Sequence, residues 1–544
     1  MSKKYDVLNS TLILALGILI SRIVGFFYRI PIKKILGDEG NGLYGEAYQV
    51  YMIILTLTAI AIPSGLSKVI AEAEALKDYE QSERIFKVAL KYSSLCAMII
   101  GSLIFIGAET ISDIAFPNDN IGIAIRIFAL TSIISTIAAS FRGYFQGLGN
   151  VNPTAASQIL EQIANVLVSI LLSYSLSKIS LILGVVGSCI GTTVGAIVAL
   201  LILILFWKHT KKKQNRPVQV TINTNDERKI LRKMGYIILP VIISTSVFSI
   251  MTFIDYSMIS KVLPSSIAQL QVQGKMHLIP IQNIGYLRID EIIRNLKGQY
   301  SFQYNTVINI PVSIILQLAV ATIPAISIDM ATKNTDGINS KIQMVIRTGL
   351  LFAIPSSIAF CIFGMPLMEL MLGKDATGGE ILSVGGIGLI AIAIAQLTAG
   401  ILQGLGKANI SSINALIACG SKVILNFILI SIPELNIYSV VISTTICYAI
   451  YSALNVQYMR KKLKVNIGWS GILIKIFRCA FIMAGVSISA FKLGQYMLLG
   501  NRISMLITIP VAIIIYYKTT VRANIMIPEV SIWVSKYTKT KYRR

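Results

Sequence analysis

The sequence is short of charge, and shortest of acid. Asp and Glu number 25 in 544 residues, and Asp, Glu, Lys and Arg together make up 14%. A soluble domain carries about a quarter, so a soluble enzyme built around a large core is excluded. Histidine is nearly absent: His209 and His277 are the two present, too few for a histidine-built metal centre. The six cysteines, Cys96, Cys189, Cys361, Cys419, Cys447 and Cys479, lie in apolar stretches with no CxxC spacing. Neither a zinc site nor a disulfide framework is called for. No cofactor is called for either. The one stretch that looks like a phosphate loop, ending Gly406-Lys407, continues with Ala408 where Ser or Thr is required and sits between apolar runs. A nucleotide site, and with it an ATP-driven pump, is excluded.

What is abundant is apolar sequence. Hydrophobic residues make up 54% of the chain and mean hydropathy is +0.71. A helix crossing ~30 Å of hydrocarbon takes about 20 apolar residues, so the chain holds on the order of a dozen spans and little else. Apolar runs fall near 9–36, 44–70, 86–108, 121–146, 153–176, 180–207 and 233–262, then near 304–328, 344–365, 381–403, 409–431, 436–458, 470–492 and 501–518. The expected fold is therefore an all-α integral membrane protein of fourteen transmembrane helices. Lys3 and Lys4 precede the first run, but no small-residue cleavage site follows and Arg22 interrupts it. A retained first helix is expected rather than a cleaved signal peptide.

The net charge of +24, from 49 Lys and Arg, is read as loop charge and not as a nucleic-acid surface. Positive residues mark cytoplasmic loops. They cluster at Lys208, Lys211, Lys212, Lys213, Arg216, Arg228, Lys229, Arg232 and Lys233, at Arg460, Lys461, Lys462 and Lys464, and in the tail ending Lys541-Tyr-Arg-Arg544. Both termini are placed in the cytoplasm of a multi-pass cell-membrane protein. The tail from Pro528, with Trp533, Tyr537 and Tyr542 among lysines, suits an anionic leaflet surface. Segment 263–303 is read as a long outside loop with Lys275, Arg288, Arg294 and Lys297 partly balanced by Asp290 and Glu291. It is either a structured cap or a gate that meets anionic headgroups.

The first twelve runs split six and six about the basic linker. Gln146-Gly-Leu-Gly149 and Gln403-Gly-Leu-Gly406 occupy the equivalent turn of each half. Halves of even helix number share one orientation, which implies a pseudo-twofold along the membrane normal and two bundles facing a central cavity. The expected organisation is an N-lobe over 1–207, a basic linker over 208–232, a C-lobe over 233–459, and a final helix pair with its tail over 460–544.

Ionisable groups inside spans are the best functional pointers. Arg22, Arg29 and Lys33 are spaced by seven and then four residues, so they share one face of the first helix over roughly 16 Å. Pro31 is expected to bend that helix nearby. A stripe of cations needs a wet cavity, and a cavity lined by guanidinium and ammonium groups suits a phosphate-bearing anion. For Lys33 the competing reading is snorkelling to the surface. Lys68 is a second cavity cation or an inside flank. Asn152 is expected to cap the fifth helix with Pro153 in its first turn. Gln158, Glu161 and Gln162 then form a polar stripe that lines the inner mouth or binds helices together. Asp255, the acid well inside the seventh helix, either binds Na+ or a proton or pairs with a cavity arginine. Gly184, Gly187, Gly191 and Gly195, with Gly385, Gly386 and Gly388, are read as close-packing positions.

Ser21-Arg-Ile-Val-Gly-Phe-Phe-Tyr-Arg-Ile-Pro-Ile32, Ile62-Pro-Ser-Gly-Leu-Ser-Lys-Val-Ile-Ala-Glu72, Arg142-Gly-Tyr-Phe-Gln-Gly147 and Pro153-Thr-Ala-Ala-Ser-Gln-Ile-Leu-Glu-Gln162 resemble the polysaccharide-exporter branch of the MATE-like MOP superfamily. More narrowly they resemble the Gram-positive MurJ/SpoVB-type lipid II flippases, over nearly the whole chain. That resemblance implies a transporter, not an enzyme. Its substrate would be an undecaprenyl-diphosphate-linked peptidoglycan precursor carried from inner to outer leaflet by alternating access, with the last two helices forming a groove for the lipid tail. It implies a cavity role for Arg22 and, displaced by one position from the better-known pattern, for Arg29. It likens Asp255 to an acid of a sodium site, and it places Asn165 where this branch is expected to carry arginine. The resemblance covers cell-wall biogenesis and sporulation roles alike. The partners expected are the lipid-linked glycan diphosphate and membrane lipids, with no nucleic acid, and the protein is expected to act as a monomer. Alternatives are export of a capsule or teichoic-type lipid-linked unit, or a membrane glycosyltransferase, for which the loop offers just Asp290 and Glu291.

Overall fold

A computed structural model describes residues 2–214, 224–281, 287–331, 335–373, 376–463 and 469–525, and every regular element among them is helical. In chain order these are α1 (Ser2–Thr58), α2 (Ile62–Ala75), α3 (Tyr79–Ile106), α4 (Ala108–Ala115), α5 (Gly122–Gly147), α6 (Asn152–Ser177), α7 (Leu181–Gln214), α8 (Thr224–Lys261) and α9 (Leu263–Val272). Then follow α10 (Ile289–Gly298), α11 (Asn305–Ala331), α12 (Thr335–Leu372), α13 (Gly379–Gly385), α14 (Gly388–Gly404), α15 (Ala408–Ile430), α16 (Tyr438–Lys461), α17 (Trp469–Tyr496) and α18 (Gly500–Arg522). The apolar runs of the sequence fall on these helices or on the bent pair α13–α14, except that 9–36 and the start of 44–70 share α1 and the rest of 44–70 lies on α2. Among the described residues, eleven helices are long and apolar enough to cross a membrane, or twelve if that pair is one span. Large apolar side chains point outward along them, with Leu103, Leu167 and Leu205 each about two-thirds exposed at 66%, 65% and 66%. Contiguous apolar surface of this kind belongs against lipid.

Local chemistry explains where the helices stop. α3 begins at Asp78, whose carboxylate accepts from the Gln81 N–H at 2.9 Å. Gly149 and Gly406 have φ of 75° and 70°, the left-handed conformation that glycine adopts without steric cost. Around them the N–H of Gly149 bonds Gln146 O and that of Asn150 bonds Phe145 O, both at 3.0 Å, while Gly406 bonds Gln403 O at 3.0 Å and Lys407 bonds Leu402 O at 2.8 Å. These are paired Schellman caps. The Gln-Gly-Leu-Gly repeat is thus a helix stop used twice, and the Gly406-Lys407 resemblance to a phosphate loop is a helix C-terminus.

Three sequence readings are corrected. The break in α1 falls not at Pro31 but at Gly37, with φ 64° and ψ −173°. Pro31 lacks a backbone donor yet stays within the helix, whereas Gly37 has a dihedral no other residue adopts cheaply. The amide of Asn41 takes the carbonyl of Gly37 at 2.5 Å. Asn152 is the first helical residue of α6 and not its cap; the side chain of Asn150 accepts from its N–H at 3.3 Å. Finally, 263–303 is largely helical. α10 buries Ile292, Ile293 and Leu296, and Glu291 folds back to accept from the Arg288 N–H at 3.1 Å as in a capping box.

By packing, the chain forms two compact units, Met1–Pro264 with Leu287–Gly298, and Ser265–Tyr286 with Gln299–Arg544. A core of the first unit joins α2, α3, α5 and α7 through Leu66, Ile70, Phe86, Tyr144, Phe145 and Leu203, and takes in Ile230 and Met234 of α8. Charges fix that start of α8 in place: Glu227 meets Lys91 and Tyr92, both at 2.9 Å, and Lys233 meets Glu72 at 2.6 Å. The Lys91 ammonium and the Tyr92 hydroxyl, both donating to it, hold the Glu227 carboxyl below its ordinary pKa. The second unit's core joins α12, α14, α16 and α17 through Ile342, Ile346, Leu402, Met459, Ile476 and Ala480. Packing therefore groups α8 with the first unit, whereas the sequence repeat groups the run 233–262 with the second half.

Candidate functional site

The break at Gly37 lets the second half of α1 present Tyr44, Tyr48 and Tyr51 at helical spacing inside the first unit. Tyr44 and Tyr48 stack at 5.8 Å, and Tyr51 stacks on Phe128 of α5 at 4.8 Å. The Tyr51 hydroxyl bonds Ser135 at 3.0 Å. Against this aromatic wall stand two arginines. Arg29, half-buried, has Tyr44, Tyr48, Tyr28 and Tyr256 as electrostatic neighbours. Arg142 of α5 donates to Glu161 of α6 at 2.5 Å and to Ser157 at 3.2 Å, and both Arg142 and Glu161 act on Tyr51. Tyr48 lies within electrostatic reach of Arg29 and of Glu161 alike. The result is a guanidinium-rich, hydroxyl-lined interior on α1, α5 and α6.

Other expected residues distribute around it. The side chain of Arg22 lies outside the described residues. Lys33 is 7% exposed, with Asp38, just past the break, at 4.0 Å. Lys68 is exposed on α2. Asp255 of α8 is fully buried. Gln162 lies against Gly25, where a Cβ would come within 3.0 Å of its amide nitrogen. Asn165 accepts from Ser169 at 2.8 Å and sits near Thr192 at 3.5 Å, while the Tyr28 hydroxyl meets Ser188 at 2.5 Å. These oxygens occupy the α6–α7 seam. That seam is close because Gly187 and Gly195 press on backbone: a Cβ on either would lie 2.7 Å from the Leu172 carbonyl carbon and from Glu161 O respectively.

Sequence reasoning missed an ion cluster. Lys297 of α10, 1% exposed, bonds Asp119 at 2.5 Å and also Glu46 of α1. Glu46 and Asp119 are themselves 0% and 4% exposed. Burial works against the Lys297 ammonium, but the flanking carboxylates leave its pKa above that of an ordinary lysine. Arg294 extends the cluster to Asp119 at 2.8 Å and Glu39 at 2.9 Å. The loop cations are thus neutralised from elsewhere in the chain, as Lys275 is by Glu434 at 2.9 Å. The only signal in sequence was an unusual Glu46 inside an apolar run. Of the two loop acids weighed for catalysis, Glu291 is engaged with Arg288 and Asp290 is exposed.

Comparison with known proteins joins this architecture to a family. The model of the family described as Polysaccharide biosynthesis protein matches residues 7–330, and that of Lipid II flippase MurJ matches residues 298–510. Stage V sporulation protein B of Bacillus subtilis (strain 168) is 25% identical over 503 residues, 91% of each chain. Lipid II flippase MurJ of the same organism is 24% identical over 509 residues, 90% of this chain and 89% of its own. Among solved structures, a Lipid II flippase MurJ in an inward closed conformation has a TM-score of 0.63 at 16% identity, covering 94% of this chain and 98% of its own. An inward-facing multidrug resistance MATE transporter of the MOP superfamily has a TM-score of 0.64 at 17% identity, covering 84% and 98%. The chain belongs to the family described as Polysaccharide biosynthesis protein, is similar over most of its length to the MurJ and stage V sporulation B proteins, and is a multi-pass membrane transporter and not an enzyme.

Proposed function

We propose that this protein carries a glycan linked to undecaprenyl diphosphate, lipid II first among candidates, from the inner to the outer leaflet by alternating access through a cationic cavity. The observation that carries the reading is a basic stripe on a membrane helix: Arg29 and Lys33 are both sheltered on α1, and Arg29 sits among tyrosine hydroxyls. A guanidinium pairs with phosphate oxygens in a bidentate, charge-assisted geometry, and phenol O–H groups supply further donors. Arg22, seven residues before Arg29, falls on the same helix face by its spacing in the sequence. Glu161 holds Arg142 at the edge of this site and tunes its charge, and Lys68 serves as an outer basic contact.

In this reading the protein works as a monomer with fourteen crossings and both termini cytoplasmic, and α17 and α18 guide the lipid tail. Asp255 couples the cycle to Na+ or a proton. The membrane potential assists outward movement of a net anion, at ~2.3 kcal/mol per charge per 100 mV. A capsule or teichoic-type unit on the same carrier presents the same diphosphate and is the second reading. Its ground is the similarity to a family described by polysaccharide biosynthesis at large.

Reconstitution tests the proposal. Proteoliposomes holding the full chain should move a fluorescent undecaprenyl-diphosphate-linked disaccharide between leaflets, and Arg29→Ala should slow this at least about tenfold, the loss of one charge-assisted bond. Movement unaffected by Arg29→Ala overturns the role of the stripe.

A further inference from the structure

A second charged feature lies away from the α1 stripe. Between Glu434 and Glu529 the sequence has no Asp or Glu but ten Lys and Arg. α17 and α18 form an antiparallel hairpin through a tight turn at Leu498, φ 56°. Gly494 packs on Ser504, where a Cβ would lie 2.9 Å from the serine Cβ. That register puts Arg478 level with Thr520, and Lys475 level with the end of α18. Lys475 and Arg478 on α17 therefore share one end of the hairpin with Lys518 and Arg522 on α18, and all four are exposed. Arg460, Lys461 and Lys462, exposed at the end of α16, precede α17 by a short connection.

None of these seven cations has an ion-pair partner among the described residues. Asp329, on α11, is occupied by Lys341 at 2.7 Å, and Asp336 makes no ion pair with any of the seven. The turn end of the hairpin differs: there Arg502 has Glu369 at 3.9 Å and Asn501 bonds the same carboxylate at 2.9 Å. Ordinary flanking charge accounts for Arg460, Lys461 and Lys462 at a helix end and not for Arg478 within α17. Arg478 lies seven residues into the apolar span that begins at Gly471, about 10 Å along the axis. It shares the exposed face of α17 with Ile474, Phe481 and Ile482, which are 56%, 64% and 52% exposed. A cation on a lipid-facing surface at that depth is costly unless a counter-charge meets it. One further donor points the same way. Arg347 of α12 closes the C-terminus of α18 by donating to Asn524 O at 3.1 Å and to Ile525 O, yet its Nε–H is buried with no acceptor.

We propose that the basic end of the α16–α18 segment, centred on Lys475 and Arg478, is a binding surface for an anionic phospholipid headgroup of the surrounding bilayer. The acyl chains lie along the apolar face of α17 while the phosphate meets the two side chains that have no ion-pair partner among the described residues. Basic surfaces of this kind between membrane helices recognise anionic lipid. The inference does not depend on what the protein transports.

The test titrates the purified full chain with phosphatidylglycerol and, separately, phosphatidylcholine, counting bound lipids by native mass spectrometry. The wild type should favour phosphatidylglycerol by about tenfold or more. Lys475→Gln/Arg478→Gln should lose most of that preference with an unchanged circular dichroism melt, and Lys492→Gln, at the turn end, should keep it. If the double variant does not fold, Lys518→Gln/Arg522→Gln replaces it with the same expected loss. Equal affinity for the two lipids, or full preference in the folded variants, overturns the proposal. So does displacement of phosphatidylglycerol, one for one, by undecaprenyl diphosphate, which would assign the surface to the transported lipid.

Discussion

The pair α6–α7 in the first unit and the pair α15–α16 in the second stand in the same frame and are held by different chemistry. Shifting the first half by 257, the separation of Gln146 from Gln403, carries the start of α5 at Gly122 onto that of α13 at Gly379 and the start of α7 at Leu181 onto that of α16 at Tyr438. Within this frame Gly187 corresponds to Thr444, Asn165 to Lys422 and Ser157 to Asn414. The first pair is joined by glycines so close that a Cβ at Gly187 would meet the Leu172 and Ser173 backbone at 2.7 Å. The second pair is joined by side chains. Lys422, almost fully buried, donates to Thr444 at 2.8 Å; Asn414 donates to Asn455 at 2.9 Å; and Ser411 meets Tyr451 at 2.7 Å, while Asn455 continues the network to Thr398 of α14 at 3.2 Å. The contrast recurs one helix earlier. Phe128 and Ala129 keep α5 continuous and build the tyrosine wall, whereas Gly385 and Gly386 at the matching positions let α13 and α14 bend by 56°. The two halves thus keep matching helix starts and glycine caps, while close backbone contact dominates the α6–α7 seam, beside the Ser169 bond to Ser188 O at 3.1 Å, and side-chain hydrogen bonding dominates the α15–α16 seam.

The first unit also carries the buried ions, and the largest expected effect lies there. Lys297→Met strands Glu46 and Asp119 without their ammonium, and should cost about 3–5 kcal/mol in stability, read by reversible denaturation in mixed micelles. A cost below ~1 kcal/mol would mean that the cluster is not a cornerstone of the first unit. Next, Gly187→Ala forces a methyl onto backbone and should cost about 1–3 kcal/mol. The matching Thr444→Ala removes the bond from Lys422 and the local bond to Val440 O, and should cost about 1 kcal/mol or less. Equal losses would erase the distinction between the two seams. The smallest effect is pH-dependent. Because the folded Glu227 carboxyl lies below its ordinary value of 4.5, its contribution is present above that value and fades as pH falls through the folded pKa. Melting curves of wild type and Glu227→Gln should differ slightly at pH 7 and converge as pH falls below the folded pKa. A gap that persists in acid would show that Glu227 acts by shape and not by charge.

How much of this was legible in the sequence follows from the range of the interactions involved. Helix positions were legible because hydropathy is local: α3, α5, α6 and α7 each lie over the run that announced them. The glycines of α7 and the Gln-Gly-Leu-Gly stops were legible because four residues at one spacing suffice. Illegible were contacts between distant segments. Lys297 finds Asp119 and Glu46 across 178 and 251 residues, and no pattern along either stretch announces the match. Within the site, the cations of α1 could be placed on one face from their spacing, but the tyrosines opposite them depended on the break at Gly37, which Pro31 had concealed. Arg142 was present in a quoted motif, yet its role became visible only when α5 and α6 brought it to Glu161.

The measurement that tests the central claim most directly is made in cells. A Gram-positive host is depleted of its lipid II flippase and given this chain or its Arg29→Ala or Arg22→Ala variant, and lipid II exposed on the outer leaflet is assayed with the protein confirmed in the membrane. The account predicts that the wild type restores exposure and that each variant restores several-fold less. No restoration by the wild type would contradict lipid II as the substrate, and full restoration by both variants would contradict the cationic stripe as its ligand.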